Sequence, residues 1–239
     1  MLSYPHTACV VDEQAGELLR SDGYGGTIIV TGNPAYDPFF AVDAPKERAH
    51  LRQKFGLSEN QKVLLYVGQG TPLNLDVDKK SFAFLAATLK SLDDRNTLLA
   101  IRPHPRAETT EHYKKNSKGL PLLDTKDVEV TDELLFLADV VVSMYASNPI
   151  HAAILKIPAV SLMLPDAAKM HLAKIHLDDF PLNKTGATIG VYSDSIPDFV
   201  MLLKKLFYDG ADRNARNQKN NPLSLIQGSA ERVVEGLIH

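Results

Sequence analysis

A single cysteine, Cys9, stands among the 239 residues, so no disulfide can form within one chain. A reducing cytoplasm fits that usage. Charge of neither sign dominates. The formal net charge is −3, which gives no general electrostatic case for binding nucleic acid or an anionic membrane. The amino terminus lacks a basic segment followed by a long apolar run and does not read as a signal peptide. Long apolar runs are absent elsewhere too. Residues 140–165 carry one formal charge, Lys156, yet Asn148-Pro149 and Pro158 cut the stretch into pieces too short to span a bilayer. There is no internal repeat of short period and no low-complexity segment. Neither a Walker motif nor a full dinucleotide fingerprint occurs. No Ser/His/Asp or Cys/His arrangement can be assigned.

What is present is an alternation of short apolar runs with amphipathic segments. Residues 8–11 (ACVV), 27–31 (TIIVT), 63–67 (VLLYV), 98–102 (LLAIR), 140–143 (VVVS) and 159–164 (AVSLML) read as strands, with residues 128–130 as a further short one. Helices are expected over 12–20, 46–55, 78–92, 110–118, 131–138, 149–156, 195–208 and 229–238, with 212–218 polar and ambiguous. Gly56 suits a helix C-cap, Thr131 an N-cap, and residues 38–45 an irregular linker. The strands are continuous apolar runs, as a sheet covered on both faces requires. Right-handed crossovers then give an α/β fold, a Rossmann-like open parallel sheet with helices on both faces. The length suits one large α/β domain, or one domain with a fragment.

Such sheets bind ligands at the carboxyl ends of their strands, and three loops should converge there. The first is Gly68-Gln69-Gly70-Thr71 after VLLYV. Small residues let backbone N–H groups approach an anion, and Thr71 adds a hydroxyl. A tight strand-to-helix turn explains the same residues equally well. The second loop is Arg102-Pro103-His104-Pro105-Arg106. Arginine grips phosphate in a bidentate fork, and histidine donates to phosphate or exchanges a proton near neutral pH. The two prolines stiffen it. The alternative is a solvated polar loop. The third runs from Ser143 to His151 and opens a helix near Pro149. Ser147 and Asn148 either cap that helix or reach a phosphate.

Other polar clusters have plainer explanations. His171, His176, Asp178 and Asp179 suit an exposed polar helix end better than a metal site, Asp12-Glu13 a helix start, and Arg213, Arg216 and Lys219 a solvated helix face. No metal and no cofactor is expected.

Taken in order, these segments resemble the carboxyl-terminal half of GT-B proteins, in particular the UDP-N-acetylglucosamine 2-epimerase and CDP-glycerol glycerophosphotransferase groups. TIIVTGNPAYDPF is similar to the strand and turn leading into the second domain, and KVLLYVGQGTP to that domain's first strand and loop. LLAIRPHPR is similar to the Arg-Pro-His-Pro segment of the glycerophosphotransferases. ADVVVSMYASNPIHAAILKIPAV resembles the family's strand, serine-rich loop and helix, and GSAERVVEGLIH the epimerases' terminal helix.

The resemblance implies a nucleotide-sugar-binding domain over residues 34–239 and the last strands of an amino-terminal domain over 1–33. Gly68, Gln69, Gly70, Thr71, Ser143, Ser147 and Asn148 would line a nucleoside diphosphate. Arg102 and His104 would face phosphate or the transferred group, with His104 the catalytic candidate. The family has a glutamate near the start of the serine-loop helix that holds ribose hydroxyls, and His151 stands there here. The implied function is part of a glycosyltransferase-like enzyme acting on a nucleoside diphosphate sugar or polyol. The opposite wall of its cleft would come from an amino-terminal domain, a partner chain or a second copy. A UDP-sugar epimerase or hydrolase, and a non-catalytic nucleotide-sugar-binding module, are the alternatives.

Overall fold

The computed structural model describes residues 5–69, 71, 74–107, 109–123, 131–175, 179–209 and 227–238. Gly70 and the segments 128–130 and 212–218 of the sequence reading lie outside these residues, as do His176, Asp178, Arg213, Arg216 and Lys219. The chain divides into two units, Met1–Val42 with Asn221–His239, and Asp43–Asn220.

In the first unit, β1 (Thr7–Val10) and β2 (Thr27–Val30) pair in parallel around helix α1 (Glu13–Ser21). Asp12 caps α1, its carboxylate accepting the Ala15 N–H at 2.8 Å. The segment expected to be an irregular linker is helical instead. A 3₁₀ turn (Pro34–Tyr36) runs into α2 (Asp37–Ala41). Pro38 falls in the first turn of α2, where a missing N–H breaks no helical bond. The carboxyl-terminal helix (Ser229–Ile238), α11 in chain order, belongs to this unit. Asp37 accepts the N–H groups of Gly228, Ser229 and Ala230 at 2.9–3.0 Å, and so caps α11 from a distant point of the chain.

The second unit begins with α3 (Ala44–Lys54), capped by Asp43, with Pro45 in its first turn. Gly56, at φ 61°, ends it in the left-handed region. There follow β3 (Lys62–Val67), α4 (Leu75–Leu92), β4 (Thr97–Arg102), α5 (Glu111–Asn116) and α6 (Thr131–Leu137). Thr131 is thus the first residue of α6 rather than the residue before it. Next come β5 (Val140–Ser143), α7 (Asn148–Ile154), β6 (Ala159–Leu162), α8 (Pro165–Ile175), α9 (Pro181–Lys184), β7 (Ile189–Val191) and α10 (Ile196–Tyr208).

The five strands pair in parallel in the order β4-β3-β5-β6-β7. The chain leaves β3 to one side and returns past it to β5, which makes a switch point at their carboxyl ends. On one face, Leu64, Tyr66, Val142 and Leu162 pack against Phe82, Leu85 and Leu89 of α4 and Phe199, Leu203 and Leu206 of α10. Each fully buried side chain of this size contributes about 1.5–3 kcal/mol of transfer free energy. Val63, Leu65 and Val141 point the other way and are equally buried. This explains why the strands read as unbroken apolar runs.

Asp139 and Arg48 fasten the opposite, amino end of the sheet. The buried Asp139 carboxylate accepts the Val63 N–H at 2.9 Å and the Arg48 guanidinium at 3.0 Å. Arg48 also donates to the carbonyls of Phe136, Leu137 and Ala138, closing the carboxyl end of α6.

Candidate functional site

At the carboxyl edge, Arg102, Val67, Ser143 and Ser161 are lateral neighbours across four strands. The loops beyond the first three enclose a cleft of about 300 Å³. Its walls are Val67, Gly68 and Gln69 at the end of β3, Arg102 to Pro105 at the end of β4, and Tyr145 to Asn148 after β5.

The β3 loop is tied inward. Gly68 N–H donates to the Arg102 carbonyl at 2.9 Å, Gln69 N–H to the Asp78 carboxylate at 2.9 Å, and Thr71 N–H to the Gln69 carbonyl at 2.7 Å. The described amides of this loop therefore have acceptors within the protein and do not form an open anion cradle. Gly68 is small for a different reason: a β-carbon there would collide with the Tyr113 hydroxyl.

Asp78, in the first turns of α4, is fully buried. Tyr66 donates to its Oδ1 at 2.9 Å. His112 Nε2 lies 3.0 Å from its Oδ2, and the Tyr113 hydroxyl bonds to the same oxygen. Burial and the neighbouring Asp78 charge push the Tyr66 hydroxyl well above the usual tyrosine range. Burial and the Asp78 bond do the same to Tyr113.

The second wall supplies cationic and proton-donating groups. Arg102 is half-buried at the end of β4. His104 Nδ1 accepts the Arg106 N–H at 3.0 Å, and its carbonyl accepts the Ala107 N–H at 2.8 Å. The neutral ring then carries its proton on Nε2 and can only donate from that atom.

The third wall is small and polar. Ser147 occupies the N-cap position of α7, but its side chain makes no capping bond. Tyr145 donates to Asn74 Oδ1 at 3.0 Å, which ties this loop to the start of α4. Burial, then the Asp78 charge, raises the Tyr145 hydroxyl.

The structure thus brings Gly68, Gln69, Arg102, His104, Ser147 and Asn148 around one space. Thr71, Ser143 and His151 do not line it. Ser143 is fully buried at the end of β5, with no hydrogen-bond partner for its Oγ among the described residues, and His151 lies one turn into α7. The sequence reading missed Asp78, His112 and Tyr113, and it included Tyr145 only as part of its third loop, with no role of its own. The one signal for Asp78 was an acid in the first turns of an otherwise apolar-faced helix. Among the described residues, no group of three or more His, Cys, Asp or Glu side chains could hold a metal ion. No described helix is long and apolar enough to cross a membrane.

A five-stranded parallel sheet flanked by helices, with a cleft at its switch point, is a fold this chain shares with GT-B-like proteins. The chain matches solved structures of that class. The wall teichoic acid polymerase TagF is 16% identical, with a TM-score of 0.62, over 98% of this chain and 57% of its own. UDP-GlcNAc 2-epimerase from Neisseria meningitidis, bound to UDP-GlcNAc, is 14% identical, with a TM-score of 0.65, over 98% of this chain and 61% of its own. S. aureus MnaA with UDP is 17% identical, with a TM-score of 0.63, over 93% and 57%. The chain therefore spans somewhat more than half the length of these proteins. No curated protein sequence matches it. The CDP-glycerol:poly(glycerophosphate) glycerophosphotransferase family matches residues 22–235, and the chain belongs to that family.

Proposed function

We propose that the cleft holds the diphosphate of a nucleoside diphosphate polyol, CDP-glycerol in the first instance, and that the chain serves in transfer of glycerol phosphate to an acceptor hydroxyl. The observation that carries this reading is the meeting of Arg102, His104, Ser147 and Asn148 at the switch point of a sheet in this family. Arg102 supplies a charge-assisted fork for phosphate oxygens. Ser147 and Asn148 supply neutral hydrogen bonds on the opposite side.

In the reaction, an acceptor oxygen attacks the phosphorus that bears glycerol. The bond from that phosphorus to the bridging oxygen breaks, and CMP leaves with the bridging oxygen. The acceptor's proton goes to a base or solvent. With Nδ1 engaged by the Arg106 amide, His104 acts as a donor from Nε2, stabilising charge that builds on the phosphoryl oxygens or the leaving oxygen. Preorganised donors of this kind lower the barrier because they need no reorientation.

Isothermal titration of the chain with CDP-glycerol, CDP and cytidine tests the reading. CDP-glycerol and CDP should bind at least about tenfold more tightly than cytidine, a difference of roughly 1.4 kcal/mol or more. Equal affinity for all three overturns it.

A further inference from the structure

Asp78 contributes nothing to the surface of the cleft, yet one of its bonds goes straight to the cleft's backbone. Its two oxygens have four partners drawn from three places in the chain. Tyr66 comes from β3, His112 and Tyr113 from α5, and the Gln69 amide from the loop itself. Two partners fall on each oxygen, which fills the positions a carboxylate offers. A fully buried acid is expensive unless it is satisfied in this way. Stability alone would be served as well by a wholly apolar cluster in place of Asp78 and its partners.

We propose that Asp78 is the positioning residue of the cleft. It fixes the path of Gly68 and Gln69 and, through the Gly68 N–H to Arg102 carbonyl bond, the placement of the Arg102–His104 wall. The proposal rests on the reading that this cleft holds a donor's phosphates. It also orients the ligand. A carboxylate behind the β3 loop disfavours an anion against that loop, and the loop's described amides are already used. The phosphates therefore lie toward Arg102, His104 and Ser147, and Gln69 faces a neutral, hydroxyl-bearing part of the ligand.

The test compares Asp78→Asn with Asp139→Asn in the full chain. Asn at 78 keeps the shape but sets an NH₂ group against groups that donate. Asp139 is an equally buried acid at the other end of the same sheet. Two-dimensional amide NMR is recorded without ligand, and affinity for CDP-glycerol is measured below the melting temperature of every variant. Asp78→Asn should move the resonances of Gly68, Gln69, Arg102 and His104 and weaken CDP-glycerol by roughly tenfold or more. Asp139→Asn should lower the melting temperature while leaving those resonances and that affinity alone.

Changes confined to α4 and α5 with parental affinity would overturn the proposal, as would equal loss of affinity in both variants. If Asp78→Asn does not fold, Tyr66→Phe and Tyr113→Phe each remove one partner and should shift the same loop resonances by less. Unmoved loop resonances in both would overturn it. If the parent chain fails to bind CDP-glycerol, the donor reading falls, while the ligand-free spectra still decide whether Asp78 sets the loops.

Discussion

The Tyr113 hydroxyl occupies the space beside Gly68 that a side chain would need. Tyr113 cannot yield cheaply, because it is buried and bonded to Asp78. Gly68→Ala should therefore destabilise the chain by about 1–3 kcal/mol through overpacking. Adding Tyr113→Phe should return part of that loss by removing the colliding oxygen. Urea unfolding of the two variants and the double variant measures this. A neutral Gly68→Ala would mean the β3 loop is loose where the account needs it fixed.

Arg48 neutralises Asp139 and closes α6 with the same guanidinium. Arg48→Ala takes the guanidinium from the buried Asp139 carboxylate, and the carbonyls of Phe136, Leu137 and Ala138 lose that donor. Because Arg48 is 29% exposed, water compensates in part, and a loss of about 3 kcal/mol is expected rather than more. Chemical denaturation should show this loss. CDP-glycerol affinity should not change, since the pair lies at the amino edge of the sheet.

Asp37 tests the first unit through pH. Backbone N–H groups of Ala230, Ser229 and Gly228 hold its carboxyl below the usual aspartate range. A lowered folded value means that the stabilisation is present above the unfolded value and fades as pH falls through the folded one. Melting curves of the parent and Asp37→Asn should differ near neutrality and converge as acid takes pH below the ordinary carboxylate range. Hydrogen exchange in α11 should speed up over the same window. A constant difference at every pH would remove Asp37 as the cap.

The central strands were legible because both faces of the sheet are covered, so VLLYV, LLAIR, VVVS and AVSL carry no alternation to disguise them. β7 was not, because three residues containing Gly190 give too little pattern to separate from a turn. Residues 38–45 were read as an irregular linker, although Pro38 and Pro45 each sit in a helix's first turn. The Arg102–His104 wall was visible as charged residues after an apolar strand. Gly68 was visible as a glycine, but its cause was not, since that lies in Tyr113, 45 residues away. Asp78 looked like an ordinary acid at a helix start. Its burial depends on Tyr66, His112 and Tyr113 arriving from two other elements, which no local pattern records.

The central claim is that this cleft grips phosphate through Arg102. Titration calorimetry of Arg102→Ala against the parent, with CDP-glycerol and with cytidine, tests it most directly. Loss of a charge-assisted contact should weaken CDP-glycerol by about 1.5–3 kcal/mol, roughly 10- to 150-fold, with little effect on cytidine. Unchanged CDP-glycerol affinity, or an equal loss for cytidine, would contradict the account.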